Sequence, residues 1–372
     1  MSALSPPSPY PQAKAEAVAG AAGAMVAPVC WPAVVPGSST GFGALREAGP
    51  TVRKAGPISM KRLELFRLAA PKDSGAHRYP GTVTDVLPPA PAPLPTTLAE
   101  ASEAGRTLIM GIINVTPDSF SDGGRWDTTD LAVAHGRQLR AQGADLLDVG
   151  GESTRPGAAR ITPATEQERI IPVVRALAAS GAVVSVDTVH AATAEAAVGA
   201  GAVIVNDVSG GLADPAMHRV VADTGVVYIC QHWRGDPGTM DRLTDYSALG
   251  GVVDGVETEL RERLDELDAA GAGLRQVVID PGLGFAKTHA QSWRLLAATE
   301  RLRVDLGLPV LIGSSRKRFL AAAVPGSAAA DPIARDAATA ATTALAALAG
   351  AWAVRVHEVP ANRDAVRTAS LW

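Results

Sequence analysis

Long apolar runs are missing from this sequence. No window approaches about 18 uninterrupted apolar residues, so a membrane-spanning helix is not expected. Cysteine is scarce too. Cys30 and Cys230 stand far apart in unlike surroundings, which excludes a disulfide framework or a cysteine-based zinc site and makes a reducing, cytoplasmic setting the simplest one. Positive charge is not in excess: the formal net charge is -4 and no long basic block occurs, so no dedicated nucleic-acid surface is expected. There is no glycine-rich dinucleotide fingerprint and no Cys/His metal pattern. What remains is a chain of 372 residues, 47% hydrophobic, long enough to bury a substantial core and suited to small-molecule partners.

The first 100 or so residues are rich in Pro, Ala, Ser and Gly, as in the run Pro-Pro-Ala-Pro-Ala-Pro at 88–93. Such composition buries too little to offset the entropy of ordering, so residues 1–100 are expected to be a mostly disordered extension, with 59–70 as a short segment able to dock. The Ala-rich stretch 17–35 is preceded only by Lys14 and is broken by Gly and Pro, so it reads as low-complexity tail rather than signal peptide.

From Thr107 onward a unit repeats: a helical pattern, a closing Gly, a short apolar run, then a polar residue. The apolar runs are 108–113, 145–149, 183–186, 203–205, 226–230, 276–279, 310–312 and 353–356. Rich in Val and Ile and apolar on both parities, they read as strands covered on both faces. Helical patterns follow at 128–142, 163–180, 191–200, 214–224, 251–270, 290–306, 332–349 and 360–370. Eight strand-helix units in residues 101–372 predict a (β/α)8 TIM barrel, with a doubly wound open sheet as the alternative.

Barrel active sites lie at the carboxyl ends of the strands, so the polar residues that end each run become candidates. They are Asn114, Asp148, Asp187, Asn206 and Asp207, Gln231 and His232, Asp280, residues 314–317, and Arg355 with His357. Asp187, Asn206 and Asp280 can face a flat heterocycle that offers N–H donors and acceptors. Arg155, Lys317, Arg355 and His357, with Asn114, suggest an anionic ligand. Arg355 and His357 alternate with Val354, Val356 and Val359, which puts both on one side of a strand. The glycine-bearing stretches 116–124 and 153–157 are candidate lids. No nucleophile-plus-base pair is present.

Several motifs in order carry a resemblance: Met-Gly-Ile-Ile-Asn-Val-Thr-Pro-Asp-Ser-Phe-Ser-Asp-Gly-Gly at 110–124, Gly-Gly-Glu-Ser-Thr-Arg-Pro-Gly at 150–157, Asn-Asp-Val-Ser-Gly-Gly at 206–211, Asp-Pro-Gly-Leu-Gly-Phe at 280–285, Ser-Ser-Arg-Lys-Arg-Phe-Leu at 314–320 and Arg-Val-His-Glu-Val at 355–359. Together they resemble the dihydropteroate synthases, pterin-binding barrel enzymes of folate synthesis. The resemblance covers residues 108–372 and leaves the first hundred or so untouched.

It implies displacement of pyrophosphate from 6-hydroxymethyl-7,8-dihydropterin diphosphate by p-aminobenzoate. By the family pattern Asp187, Asn206, Asp280 and Lys317 hold the pterin, and Phe285 joins the substrate-binding set. Asn114, Arg155, Arg355 and His357 hold the diphosphate, Asn114 together with Mg²⁺. Thr154, Asp118, Ser119 and Phe120 close over the aminobenzoate, so Asp118, Lys317, Arg355 and His357 form the expected catalytic set. The resemblance also implies a homodimer. Gln231, Arg318 and Ser292 depart from the residues many relatives carry. The competing readings are a pterin-dependent methyltransferase, which has no use for the diphosphate residues, and a paralogue that binds pterin without synthase activity.

Overall fold

The structure, a computed structural model, describes residues 94, 99–100, 102, 104–116, 125–152, 160–236 and 238–372. The expected disordered extension up to residue 93, with its docking segment, lies outside these residues, whereas Leu94 and residues 99–100 fall within them. Nearly all of both candidate lids also lies outside, including Asp118, Ser119, Phe120, Thr154 and Arg155.

Eight parallel strands alternate with helices: β1 Leu108–Asn114, α1 Arg125–Gln142, β2 Leu146–Gly150, α2 Pro163–Ala179, β3 Val184–Asp187, α3 Ala191–Gly199, β4 Ile204–Asp207, α4 Met217–Thr224, β5 Val227–Gln231, α5 Val252–Ala269, β6 Val277–Asp280, α6 His289–Ala297, α7 Thr299–Leu306, β7 Leu311–Ile312, α8 Asp336–Leu348, β8 Ala353–Val356 and α9 Val359–Leu371. Each strand pairs with its sequence neighbour, and β1 also pairs with β8. A parallel bridge between Ile279 and Val310 joins β6 to the start of β7, and Ile279 N donates to Pro309 O at 2.9 Å. The sheet is therefore a nearly closed barrel, as the repeat predicts, and the open-sheet alternative is set aside.

Strand parity separates two cores. Ile109, Ile113, Leu147, Val149, Val186, Val205, Ile279 and Val354 face outward and pack with helix residues such as Leu139, Leu177, Leu260 and Leu302. The other parity, Leu108, Met110, Leu146, Ile204, Val227, Ile229, Val278, Leu311 and Ala353, fills the barrel interior, with Leu94 packed against it. Burying one such large side chain contributes roughly 1.5–3 kcal/mol before entropy is counted. Continuing that inward parity up each strand reaches Asn114, Asp148, Asp187, Asn206, Gln231, Asp280 and Arg355. The interior thus turns from apolar to polar within a step of two residues, because alternate side chains share a face.

The helix expected at 290–306 is two helices. Thr299 is buried, and its hydroxyl donates to Leu296 O at 2.7 Å, taking a carbonyl the helix would otherwise use and marking the break at Ala298. Helix α8 begins at Asp336 rather than Pro332, since Gly326–Ala330 and Ile333–Arg335 form short 3-10 turns. Among the described residues no helix is long and apolar enough to cross a membrane.

Candidate active site

At the centre of the rim, Arg355 lies between two carboxylates. Its Nε donates to Asp148 Oδ2 and its Nη2 to Asp187 Oδ2, each at 2.6 Å. Asn206 Nδ2 donates to the same Asp148 oxygen at 3.0 Å. Asp148 is fully buried, and its Oδ1 has no hydrogen-bond partner among the described residues. Burial pushes the Asp187 carboxyl up to about 7, with Asp148 adding to the shift and Arg355 opposing it. Burial also opposes the charge on Arg355, but Asp148 and Asp187 outweigh it and keep the guanidinium firmly protonated. Gly150, next to β3, leaves space here: a Cβ on it would sit 3.3 Å from that of Asp187.

Across the rim, Asp280 ends β6 and Lys317 follows β7. Asp280 Oδ1 accepts from Gly282 N at 2.7 Å. A Cβ built on Gly313 would lie 3.6 Å from Asp280 Oδ2 and 3.7 Å from Lys317 Nζ, so both charges flank the surface left open by that glycine. Lys317 Nζ donates to Leu283 O at 2.5 Å and stands 4.7 Å from the centre of the Phe285 ring, a cation-π arrangement. Burial draws the lysine down to about 8, with Asp280 and Asp187 pulling up and Arg355 pushing down. Asp280 is itself shifted up by burial, against Lys317, its bond to Gly282, Lys287 and Arg355.

The remaining candidates divide into rim groups and structural groups. His357 Nδ1 lies 2.9 Å from Ser315 Oγ, which also accepts from His357 N at 3.2 Å. The backbone and the ring of His357 therefore meet one hydroxyl, which fixes the ring at the end of β8. Asn114 ends β1 opposite Gly150 of β2. Gln231 is buried, and its amide donates to Val208 O at 3.2 Å. Asp207 is structural: its carboxylate accepts from Ser209 N, Ser209 Oγ, Gly211 N and Tyr228 Oη at 2.7–2.8 Å. Arg316 also turns away, forking Asp336 at 2.7 and 2.8 Å and tying the 314–317 turn to α8. Arg355 and Lys317 stand among the carboxylates, because alternating charge is what allows several ionised groups to be buried together.

The family model described as "Pterin binding enzyme" matches residues 110–357. The chain belongs to this family. Pterin-binding relatives include the Mycobacterium leprae dihydropteroate synthase, 50% identical over 268 residues that make up 71% of this chain and 93% of that one. The solved Xanthomonas albilineans dihydropteroate synthase with 4-aminobenzoic acid is 43% identical with a TM-score of 0.65, over 72% of this chain and 93% of that one. The same enzyme in complex with 7,8-dihydropteroate gives 40% identity and a TM-score of 0.63, again over 72% and 93%.

Within the pterin-binding barrel, Asp148 is the residue that sequence reasoning located but left without a role. Its position two residues above Leu146 on the inward parity was legible. Its service to both Arg355 and Asn206 was not, because those partners arrive from β8 and β4. Ser292 gains a role as well: its Oγ accepts from Gly284 N at 3.2 Å and donates to Thr288 O at 3.0 Å, which fastens the segment after Asp280.

Proposed function

We propose that this barrel condenses 6-hydroxymethyl-7,8-dihydropterin diphosphate with p-aminobenzoate, releasing 7,8-dihydropteroate and pyrophosphate. It is a transferase of folate synthesis. The observation that carries the reading is a rim with two buried carboxyl groups and an amide, Asp187, Asp280 and Asn206, at the carboxyl ends of three different strands. Carboxyl oxygens accept from the ring N–H and amino groups of a pterin, and Asn206 can both donate and accept. We assign Asp187, Asn206, Asp280, Lys317 and Phe285 to the pterin, and Asn114, Arg155, Arg355 and His357 to the diphosphate. Thr154, Asp118, Ser119 and Phe120 are assigned to closure over p-aminobenzoate.

The chemistry needs no protein nucleophile. The amine nitrogen of p-aminobenzoate forms the new C–N bond at the pterin methylene, the C–O bond to the diphosphate breaks, and its electron pair leaves with pyrophosphate. The amine then gives up a proton to solvent. Charge builds on the departing oxygen and on the methylene, so fixed cations and buried carboxylates placed at those points lower the barrier. Arg355 bonds Asp148 through Nε and Asp187 through Nη2, and binding of the pterin edge to Asp187 would release Nη2 toward the leaving group.

Among the described residues no group of three His, Cys, Asp or Glu could hold a metal ion. The donor chemistry at the end of β1 is one hard amide oxygen, that of Asn114, which fits a Mg²⁺ carried mainly by phosphate and water. Bound there, Mg²⁺ would neutralise charge on the diphosphate. We also assign a homodimer, in which the exposed Leu345 and Leu348 of α8 are covered by a second copy.

Pyrophosphate release is the test. With pterin diphosphate supplied, release should depend on p-aminobenzoate in the full chain and in a chain beginning near Ala101. Absence of any p-aminobenzoate-dependent turnover in both would reject the reading.

A further inference from the structure

Behind the pterin-facing groups runs a chain of titratable side chains, buried at Lys287 and His232 and half-buried beyond, that the reaction above does not use. Lys287, only 5% exposed, places Nζ 2.9 Å from His232 Nδ1 and donates to Phe285 O at 2.9 Å. The other ring nitrogen, His232 Nε2, is 2.6 Å from Glu259 Oε2 on α5. A carboxylate at that distance fixes the imidazole proton on Nε2 and leaves Nδ1 to accept from the lysine. Arg234 completes the chain. It forks Glu259 with contacts of 2.6–3.0 Å and lies 3.7 Å over the ring of Tyr246.

Burying a lysine is costly, and a methionine would fill similar space without that cost. Burial, Lys317 and Arg234 hold Lys287 well below the usual lysine range, against the pull of Asp280 and Glu259. Burial likewise resists ionisation of Glu259, but its bonds to His232 and Arg234 outweigh this and bring it down to about 2. What the lysine gains is a set of contacts on the segment 280–287.

That segment is unusual backbone. Ala286 has φ 50, a left-handed conformation that disfavours a side chain. Gly282 has φ 66, and a Cβ there would fall 2.3 Å from His232 O and 3.2 Å from Lys287 Nζ. Three of its carbonyls are taken by side chains from elsewhere in the fold or its own end: Leu283 O by Lys317, Phe285 O by Lys287 and Ala286 O by Tyr246 Oη. The two lysines grip the segment from the site side and from behind.

We infer that Lys287, held by the Glu259–His232 pair, is a positioning residue that fixes the 280–287 segment so that Asp280 and Phe285 meet the pterin already arranged. The inference rests on the pterin reading of the site.

The test uses the full chain with Lys287→Met and Glu259→Gln, each compared with wild type for kcat and for the KM of both substrates, alongside cooperative unfolding. Lys287→Met should raise the KM for pterin diphosphate at least about tenfold, with the KM for p-aminobenzoate within about twofold. Glu259→Gln keeps the size and an acceptor, so it should fold, and should raise the pterin KM by about threefold. A merely structural role would lower the yield of folded enzyme and leave both KM values alone. Unchanged pterin KM in either folded variant, or an equal rise in both KM values, would overturn the inference. Failure of wild type to turn over would instead overturn the reading beneath it, before any substitution is considered.

Discussion

The two ends of this barrel are made by the same strands and obey opposite rules. At one end Leu146, Ile204, Val278 and Ala353 pack with Leu94 and Trp352 into an apolar plug. Two residues further along the same strands stand Asp148, Asn206 and Asp280, buried almost as fully, and the half-buried Arg355, all bound by charge and hydrogen bonds. The plug is stabilised by area, which tolerates changes of shape at moderate cost. The rim is a network in which each charge is acceptable only because its partner is present. What separates stability from chemistry in this protein is a rise of two residues, about 7 Å along a strand.

The comparison is broken most severely by moving rim chemistry into the plug. Val278→Asp would bury a carboxylate with no cation nearby, and the expected loss is more than about 4 kcal/mol, enough to prevent folding. Denaturant unfolding, or simple recovery of soluble protein, checks this. Next in size is Ile204→Ala, expected to cost about 2–5 kcal/mol in the same unfolding experiment. Both KM values should stay at the wild-type level, because the cavity opens away from the site.

A substitution at the rim should show the converse. Asp148→Ala leaves Arg355 with one carboxylate instead of two and removes the acceptor of Asn206. A stability loss of about 3 kcal/mol is expected, accompanied by a fall in turnover, whereas the plug variant loses stability alone.

The rim should also show itself in pH dependence. The Asp187 carboxyl is raised to about 7 in the folded protein from an ordinary value near 3.8. A group that binds its proton more tightly when folded contributes stability at low pH and loses it as pH rises through the folded value. Stability should therefore decline between about pH 4 and 7 on account of this group, and Asp187→Asn should flatten that slope in melts across the range.

Much of this architecture was legible before any coordinates. Helix-closing glycines and Val/Ile runs are local signals, so the eight strands emerged within a residue or two of their observed ends. The rim residues followed from strand polarity alone. Relations across the barrel were not legible: Asp148 serves Arg355 from a distance of 207 positions in the chain, and nothing local to either marks the pair. The break at Ala298 was missed because the hydroxyl of Thr299 looks like any other in a helical pattern. Lys287 was missed for a related reason. It stands two residues beyond a recognisable motif, and its partners His232 and Glu259 come from the end of β5 and from α5.

The central claim is that the buried carboxylates of the rim bind the pterin. Calorimetric titration of a pterin into wild type and Asp280→Asn tests it most directly. The amide fits the same space but lacks the charge, so the affinity should fall by roughly 10- to 150-fold, the worth of a hydrogen bond to a charged group, while unfolding changes little. p-Aminobenzoate binding to the preformed pyrophosphate or pterin complex should be nearly untouched. Equal pterin affinity in the two proteins would contradict the account.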